Sequence, residues 1–147
     1  MIVKFTRRFS LETAFEVEIG DEFKEKSLRL QRGVAIKKAI LRGSDLRGSD
    51  LRGSDLRGSN LRGSNLRGSD LSDCDLRGSD LSDCDLRNCD LSGSDLRNCA
   101  LRNCDLSNSN LSYCNLRYSN LRYSNLSGCD LRNCKLPAVK LKHQRKG

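Results

Sequence analysis

Eight cysteines, one histidine and a dense alternation of arginine with aspartate are the residues of this chain whose chemistry has to be weighed first. The cysteines stand at 74, 84, 89, 99, 104, 114, 129 and 134, and every separation is a multiple of five. A metal centre needs thiolates, or thiolates with imidazoles, clustered at short spacing. No CxxC occurs and His143 is the only histidine, so neither a metal site nor a cofactor is expected. Nucleophilic catalysis needs a base beside the nucleophile, and the serines of residues 41–135 have no histidine among them. A catalytic carboxylate needs a cleft and an unusual environment, yet Asp75, Asp80 and their equivalents recur at one fixed place in a repeating pattern. Nor does "LRGSDLRGSD" match the context of a phosphate-binding glycine loop. The chain reads as non-enzymatic.

The elements that carry these residues share one period. Residues 41–70 read "LRGSDLRGSDLRGSDLRGSNLRGSNLRGSD", six turns of the same five letters. A period of five is neither the 3.6 of an amphipathic helix nor the 2 of a half-buried strand. On a helix each leucine would advance by about 140° and circle the surface, and Gly-Ser-Asp is poor helix material. Leucine nevertheless holds every fifth position from Leu41 to Leu141, and the residue two before it is Ser or Cys from Ser44 to Cys134. A disordered tract has no reason to keep an apolar residue in phase for so long. One large and one small inward position per five residues points to a narrow core wound by a repeating backbone, that is, a solenoid.

At 147 residues the chain is one domain or a domain with appendages. Its formal charge of +8 is unevenly spread: residues 1–40 carry 9 basic and 6 acidic groups, residues 41–135 carry 14 and 13, and residues 136–147 carry 4 and none. The body is thus almost balanced, which weakens any nucleic-acid reading built on total charge. No stretch is long and apolar enough for a membrane span or a signal peptide, so the expected setting is soluble and cytoplasmic. Residues 1–40 are expected to form a capping segment. "TAFEVEIG" alternates Phe15, Val17 and Ile19 with Glu16 and Glu18 as a one-face strand, and "MIVKF" can pair with it. A helix is expected from Ser27 as N-cap, with Leu30, Val34 and Leu41 on one stripe and Ile36 and Ile40 beside it, although Gly33 argues against continuity. Residues 41–138 form the repeat body and 139–147 a basic tail, where Val139 and Leu141 keep the inward phase.

"SDLRG", "CDLSD", "CDLRN" and "SNLRY" resemble the A(D/N)LXX motif of the pentapeptide-repeat proteins, over 19 consecutive repeats from Ser44 to about Ala138. The departure is that Ser or Cys stands where the family usually has alanine. The resemblance implies an all-β solenoid: a right-handed quadrilateral parallel β-helix of about five coils, four repeats to a coil, so that residues twenty apart stack about 4.8 Å from each other. Cys84 would then lie on Cys104, and Cys114 on Cys134, but parallel Cβ vectors suit a disulfide badly, and small packing thiols are expected. The small hairpin-plus-helix cap joined to a short body is similar to phage or prophage members of the family. Near-identical repeats are equally compatible with consensus design and a purely structural scaffold.

Sorting the sequence twenty residues per coil gives four faces. Arg42, Arg62, Arg102 and Arg122 lie on one, and Arg57, Arg77, Arg97 and Arg117 on its neighbour, making a basic side. The opposite side carries Asp50, Asp70 and Asp90, a possible mimic of DNA. Tyr113, Tyr118 and Tyr123 replace the usual Gly, Asn or Asp on three successive faces near one end, a collar for a protein partner or for a second copy in an end-to-end homodimer. The best-understood relatives imply binding to DNA gyrase through an acidic surface resembling B-form DNA. The expectation for this balanced body is a protein-binding module that inhibits or modulates an enzyme handling nucleic acid, as in phage host takeover or counter-defence. Direct nucleic-acid binding through the arginine faces and gyrase binding by DNA mimicry are the alternatives.

Overall fold

Each five-residue repeat brings five backbone N–H groups that need acceptors away from water, and the fold follows from where they go. In the computed structural model, which describes residues 1–7 and 13–138, the answer repeats coil after coil. The leucine N–H donates to the next coil (Leu51 to the Asp70 carbonyl, 2.8 Å), as does the residue two later (Gly53 to the Ser72 carbonyl, 3.0 Å). The residue before leucine donates to the previous coil (Asp70 to the Ser49 carbonyl, 2.9 Å), and the small residue closes a turn onto its own leucine (Ser59 to the Leu56 carbonyl, 3.1 Å). The fifth N–H, just after leucine, is capped by a side chain: Arg52 N–H donates to Asp50 Oδ1 at 3.1 Å, Arg62 N–H to Asn60 Oδ1 at 3.2 Å. That bond explains Asp or Asn before leucine, since both cap a backbone donor two residues on. Every parallel bridge, from Asp50–Asp70 to Asn115–Lys135, joins residues twenty apart, so four repeats make one coil of a right-handed β-helix.

The core is the axis of this rod. Leu46 and the leucines at every fifth position to Leu116 are buried, each worth roughly 1.5–3 kcal/mol of transfer free energy. Between them the small residues act as rivets between coils. Ser79 Oγ donates to the Leu56 carbonyl at 2.6 Å and accepts from the Ser59 N–H at 3.3 Å; Cys84 Sγ points at the Leu61 carbonyl at 3.0 Å. Most hydroxyls and thiols in the usual alanine slot are therefore buried with a partner; Ser49 and Ser59, in the first coil, bury theirs without one. The cysteines are thiols, six buried and Cys129 and Cys134 half-buried toward the far end.

The N-terminal segment closes the other end. Strands β1 (Ile2–Thr6) and β2 (Thr13–Glu18) pair antiparallel, stacking the rings of Phe5 and Phe15 with centroids 4.4 Å apart. Arg7 bridges Ser49, and the Asp50 N–H donates to the Thr6 carbonyl at 2.8 Å, so β1 covers part of the open edge of the first coil. Helix α1 (Leu28–Leu41) covers another part: the Asp55 N–H donates to the Arg29 carbonyl at 3.1 Å, and Arg32 Nη2 to the Asp50 carbonyl at 2.8 Å. Covered edges do not template pairing with other chains.

Two details of this helix differ from the sequence reading. Its buried face is Gln31, Gly33, Ala35, Ile36 and Ala39, while Leu30 and Val34 are only half-buried and Leu41 is 87% exposed. The reason is close approach: small residues let the helix axis come down onto the coil backbone, which longer side chains would hold off. Leu41 shares the period of the core leucines but is the last helical residue, and the chain reverses beyond it at Gly43, with φ +69°. The inward column begins at Leu46. The helix also runs unbroken through Gly33, whose missing side chain is what permits contact, since a Cβ there would lie 1.9 Å from the Asp55 carbonyl oxygen. Gly33→Ala, favourable in an isolated helix, should here lift α1 off the coil and cost roughly 2–3 kcal/mol. Thermal denaturation would show it; an unchanged melting temperature would mean that the helix does not need this contact. The phase expected for Val139 and Leu141, and the tail 139–147, lie outside the described residues.

Candidate interaction surface

The position two after each leucine has positive φ in all 19 repeats from Gly43 to Asn133. With its bond back to leucine, this is the sign pattern of a type II turn, which needs a left-handed residue third in the turn. Glycine fills it nine times and Asn or Asp seven times, the residues that tolerate that conformation. Tyr113, Tyr118 and Tyr123 fill it with φ of 60°, 63° and 63°. A bulky side chain there is a genuine outlier. None of the three recovers the cost by burial: they are 68%, 78% and 78% exposed. They stand on three successive corners next to the end where Leu121, Leu126 and Leu131 are only half-covered and Leu136 is exposed. Those leucines and Pro137 line an open concavity of about 650 Å³.

The arginines fall into two groups. Arg57, Arg77 and Arg97 each place Nε and Nη2 on the carboxylate two residues before them, for Arg77 at 2.8 Å and 2.6 Å from Asp75. Arg57 and Arg77 also lie 3.6 Å and 3.8 Å from carboxylates of the next coil. The fork lowers the carboxyl pKa, carrying Asp45, held by Arg47, and Asp130, held by Arg132, down to about 2. Arg62 pairs with Asp83 at 2.9 Å. Much of the expected basic side is thus a charge-balanced ladder. Arg42, Arg102, Arg117 and Arg122 have no carboxylate within ion-pair distance among the described residues, although Asp80 and Asp83 lie within the field of Arg102. Arg122 leans over the Tyr123 ring, 5.3 Å from its centroid.

Asp50, Asp70 and Asp90 form the column expected from the sequence, each engaged with its neighbours. Asp50 takes Arg52 at 2.7 Å and Arg32 at 3.4 Å; Asp70 accepts from the Ser72 hydroxyl at 2.7 Å; Asp90 accepts from Ser92 and from Asn110 of the next coil. Among the described residues no group of His, Cys, Asp or Glu is arranged to hold a metal, and no helix is long and apolar enough to cross a membrane. The forks follow from one letter, the residue two before each arginine, which is Asp in the ladder but Ala100, Asn115 and Asn120 near the tyrosines; Arg62, which follows Asn60, pairs instead with Asp83 of the next coil.

A rod wound from five-residue repeats, with its core along the axis and its variation confined to corners and faces, belongs to the β-helical solenoids. Within that class the chain belongs to the pentapeptide-repeat family, whose model, Pentapeptide repeats, matches residues 32–68, 69–108 and 99–136 with 8 copies. Its structure is similar to that of HetL, a pentapeptide repeat protein involved in heterocyst differentiation regulation in the cyanobacterium Nostoc sp. PCC 7120. Identity is 24% and the TM-score 0.54, over 58% of this chain and 50% of HetL, a likeness of fold. The chain therefore spans half the length of HetL. A pentapeptide repeat protein of the Arabidopsis thaliana thylakoid lumen matches at 24% identity over 80% of this chain and 79% of its own, with TM-score 0.39. QnrB1, a plasmid-mediated fluoroquinolone resistance protein, matches at 20% identity over 58% and 52%, with TM-score 0.33. No curated protein sequence matches.

Proposed function

We propose that this protein is a non-enzymatic binding rod that engages a protein partner at its C-terminal rim, through Tyr113, Tyr118 and Tyr123. The observation that carries this reading is strain without burial. Left-handed conformation at a bulky residue costs on the order of 1–3 kcal/mol, and such strain gathers at binding sites. Sixteen other repeats avoid it with Gly, Asn or Asp. Tyrosine is favoured at interfaces because it offers large, stiff, amphipathic contact area. The half-covered leucines beside the collar add apolar surface to the same end. An enzyme that handles nucleic acid is the partner class to test first, a choice resting on the family resemblance; the protein would then act as its inhibitor or modulator. Direct nucleic-acid binding draws less support, because Arg57, Arg77 and Arg97 are already neutralised by Asp55, Asp75 and Asp95.

Exchanging all three tyrosines for asparagine tests the reading, because it separates stability from binding. Relief of strain should stabilise by roughly 0.5–1 kcal/mol at each site and raise the melting temperature by about 5 °C. Capture of a nuclease-resistant protein from bacterial lysate should be lost. A variant that captures the same partner as the parent would end the proposal, as would capture that disappears on nuclease treatment.

A further inference from the structure

The chemistry of that partner can be read from where the ion-pair ladder stops. In seven repeats the aspartate before leucine takes its own arginine in a fork, and Asp95 holds Arg97 Nε at 2.9 Å and Nη2 at 2.7 Å. At Arg117 and Arg122 that aspartate is an asparagine. Asn115 Oδ1 and Asn120 Oδ1 still accept the arginine backbone N–H groups, at 3.3 Å and 3.2 Å, so the turn is kept. Only the carboxylate has gone. Both guanidinium groups are exposed and have no carboxylate within ion-pair distance among the described residues. They lie on successive faces, each directly before a strained tyrosine, and Arg122 Nη2 donates to the Tyr123 hydroxyl at 3.3 Å.

We infer that the rim binds an acidic segment of a partner protein, whose Asp or Glu side chains fill the forks of Arg117 and Arg122 while its apolar side chains pack on Tyr118 and Tyr123. This rests on the collar reading above and adds the partner's chemistry. The ladder itself displays the stereochemistry: an arginine on this turn receives a carboxylate through two parallel N–H bonds. Tyrosine and arginine together are the residues that most often dominate protein interfaces. A nucleic acid fits less well, because Arg57, Arg77 and Arg97 on the face of Arg117 already hold Asp55, Asp75 and Asp95 and are taken from its closely spaced phosphates, whereas an acidic segment places discrete charges at two points.

The test fills the forks from within. Asn115→Asp with Asn120→Asp is isosteric and recreates the pair that seven other repeats already hold, so the fold is kept. Asn65→Asp does the same for Arg67, which follows an asparagine on a face without tyrosine, and serves as control. The probes are a fluorescent Glu/Leu peptide, its Gln/Leu counterpart and a single-stranded oligonucleotide. The parent should prefer the Glu/Leu peptide, the double variant should bind it at least about tenfold more weakly, and Asn65→Asp should bind as the parent does. Equal binding of both peptides, an equal loss in Asn65→Asp, or preference for the oligonucleotide would overturn the inference. If the double variant still captures the lysate partner while the tyrosine variant does not, the acidic-segment inference falls and the collar reading stands. Loss in neither defeats both.

Discussion

Leu91→Asp should unfold the rod, whereas Leu41→Asp should leave it as it was. Both leucines occupy the same place in the five-residue period, fifty residues apart. Leu91 is 1% exposed, in a column with Leu71 and Leu111, where a carboxylate would meet side chains that offer it no hydrogen bond. Burying an unpaired charge or polar group of this kind costs several kcal/mol, a large share of the 5–15 kcal/mol that holds a typical domain together. A solenoid makes the loss worse, because each coil is stabilised only by its neighbours and a broken one separates two stacks. We expect a fall in melting temperature of about 10 °C or more, or no cooperative transition at all. Leu41, at the solvent-exposed end of α1, should change stability by no more than about 0.5 kcal/mol. Circular dichroism on the two variants decides it. If Leu91→Asp melts like the parent, the leucine columns do not form the core.

The contrast between those two leucines marks how far the sequence could be read. The five-residue period defined the solenoid, because a backbone that repeats must place like residues alike, and both inward positions followed. Period alone cannot say where winding begins. Leu41 keeps the phase, yet the decisive contacts are the Asp55 carbonyl against Gly33 and the Ser44 N–H on the Ala39 carbonyl, both of which depend on how α1 docks. The buried helix face was missed for a related reason. Apolar periodicity selects Leu30 and Val34, but a helix seated on a flat backbone edge needs Gly33, Ala35 and Ala39. At the surface, Tyr113, Tyr118 and Tyr123 stood out in the sequence as the wrong residues for their position; only the backbone angles supplied the cost. The arginines were read as faces of summed charge, and a sum hides pairing. Arg97 and Arg117 count alike in it, though Asp95 occupies one fork and Asn115 leaves the other open.

The buried thiols should make the protein alkali-labile. Burial pushes Cys74, Cys84, Cys99 and Cys114 up to about 12 and Cys104 to about 11, whereas in the unfolded chain a thiol ionises near 8.5. A folded pKa raised above the unfolded one means that the folded state holds its protons longer. The corresponding stability is intact below about pH 8.5 and is lost as pH climbs toward the folded values. Each thiol then removes up to about 1.4 kcal/mol per pH unit, and five acting together remove on the order of 7 kcal/mol per unit. Against a net stability of about 5–15 kcal/mol, that should unfold the rod by about pH 11. Serine at the same five positions should remove most of the effect without disturbing the core, because Ser94 and Ser109 already make the equivalent bonds to the Leu71 and Leu86 carbonyls, at 2.6 Å and 2.5 Å; Cys129 and Cys134, whose thiols burial also pushes up, stay in place. The serine variant should therefore match the parent near neutral pH and outlast it by a pH unit or more in alkali, followed by circular dichroism. In the parent, reaction with a thiol reagent should rise together with unfolding, since the native axis covers its thiols and burial keeps them protonated near neutral pH. An alkaline midpoint that does not move on serine replacement would place the lability elsewhere and remove the cysteines from the stability of the rod above neutral pH.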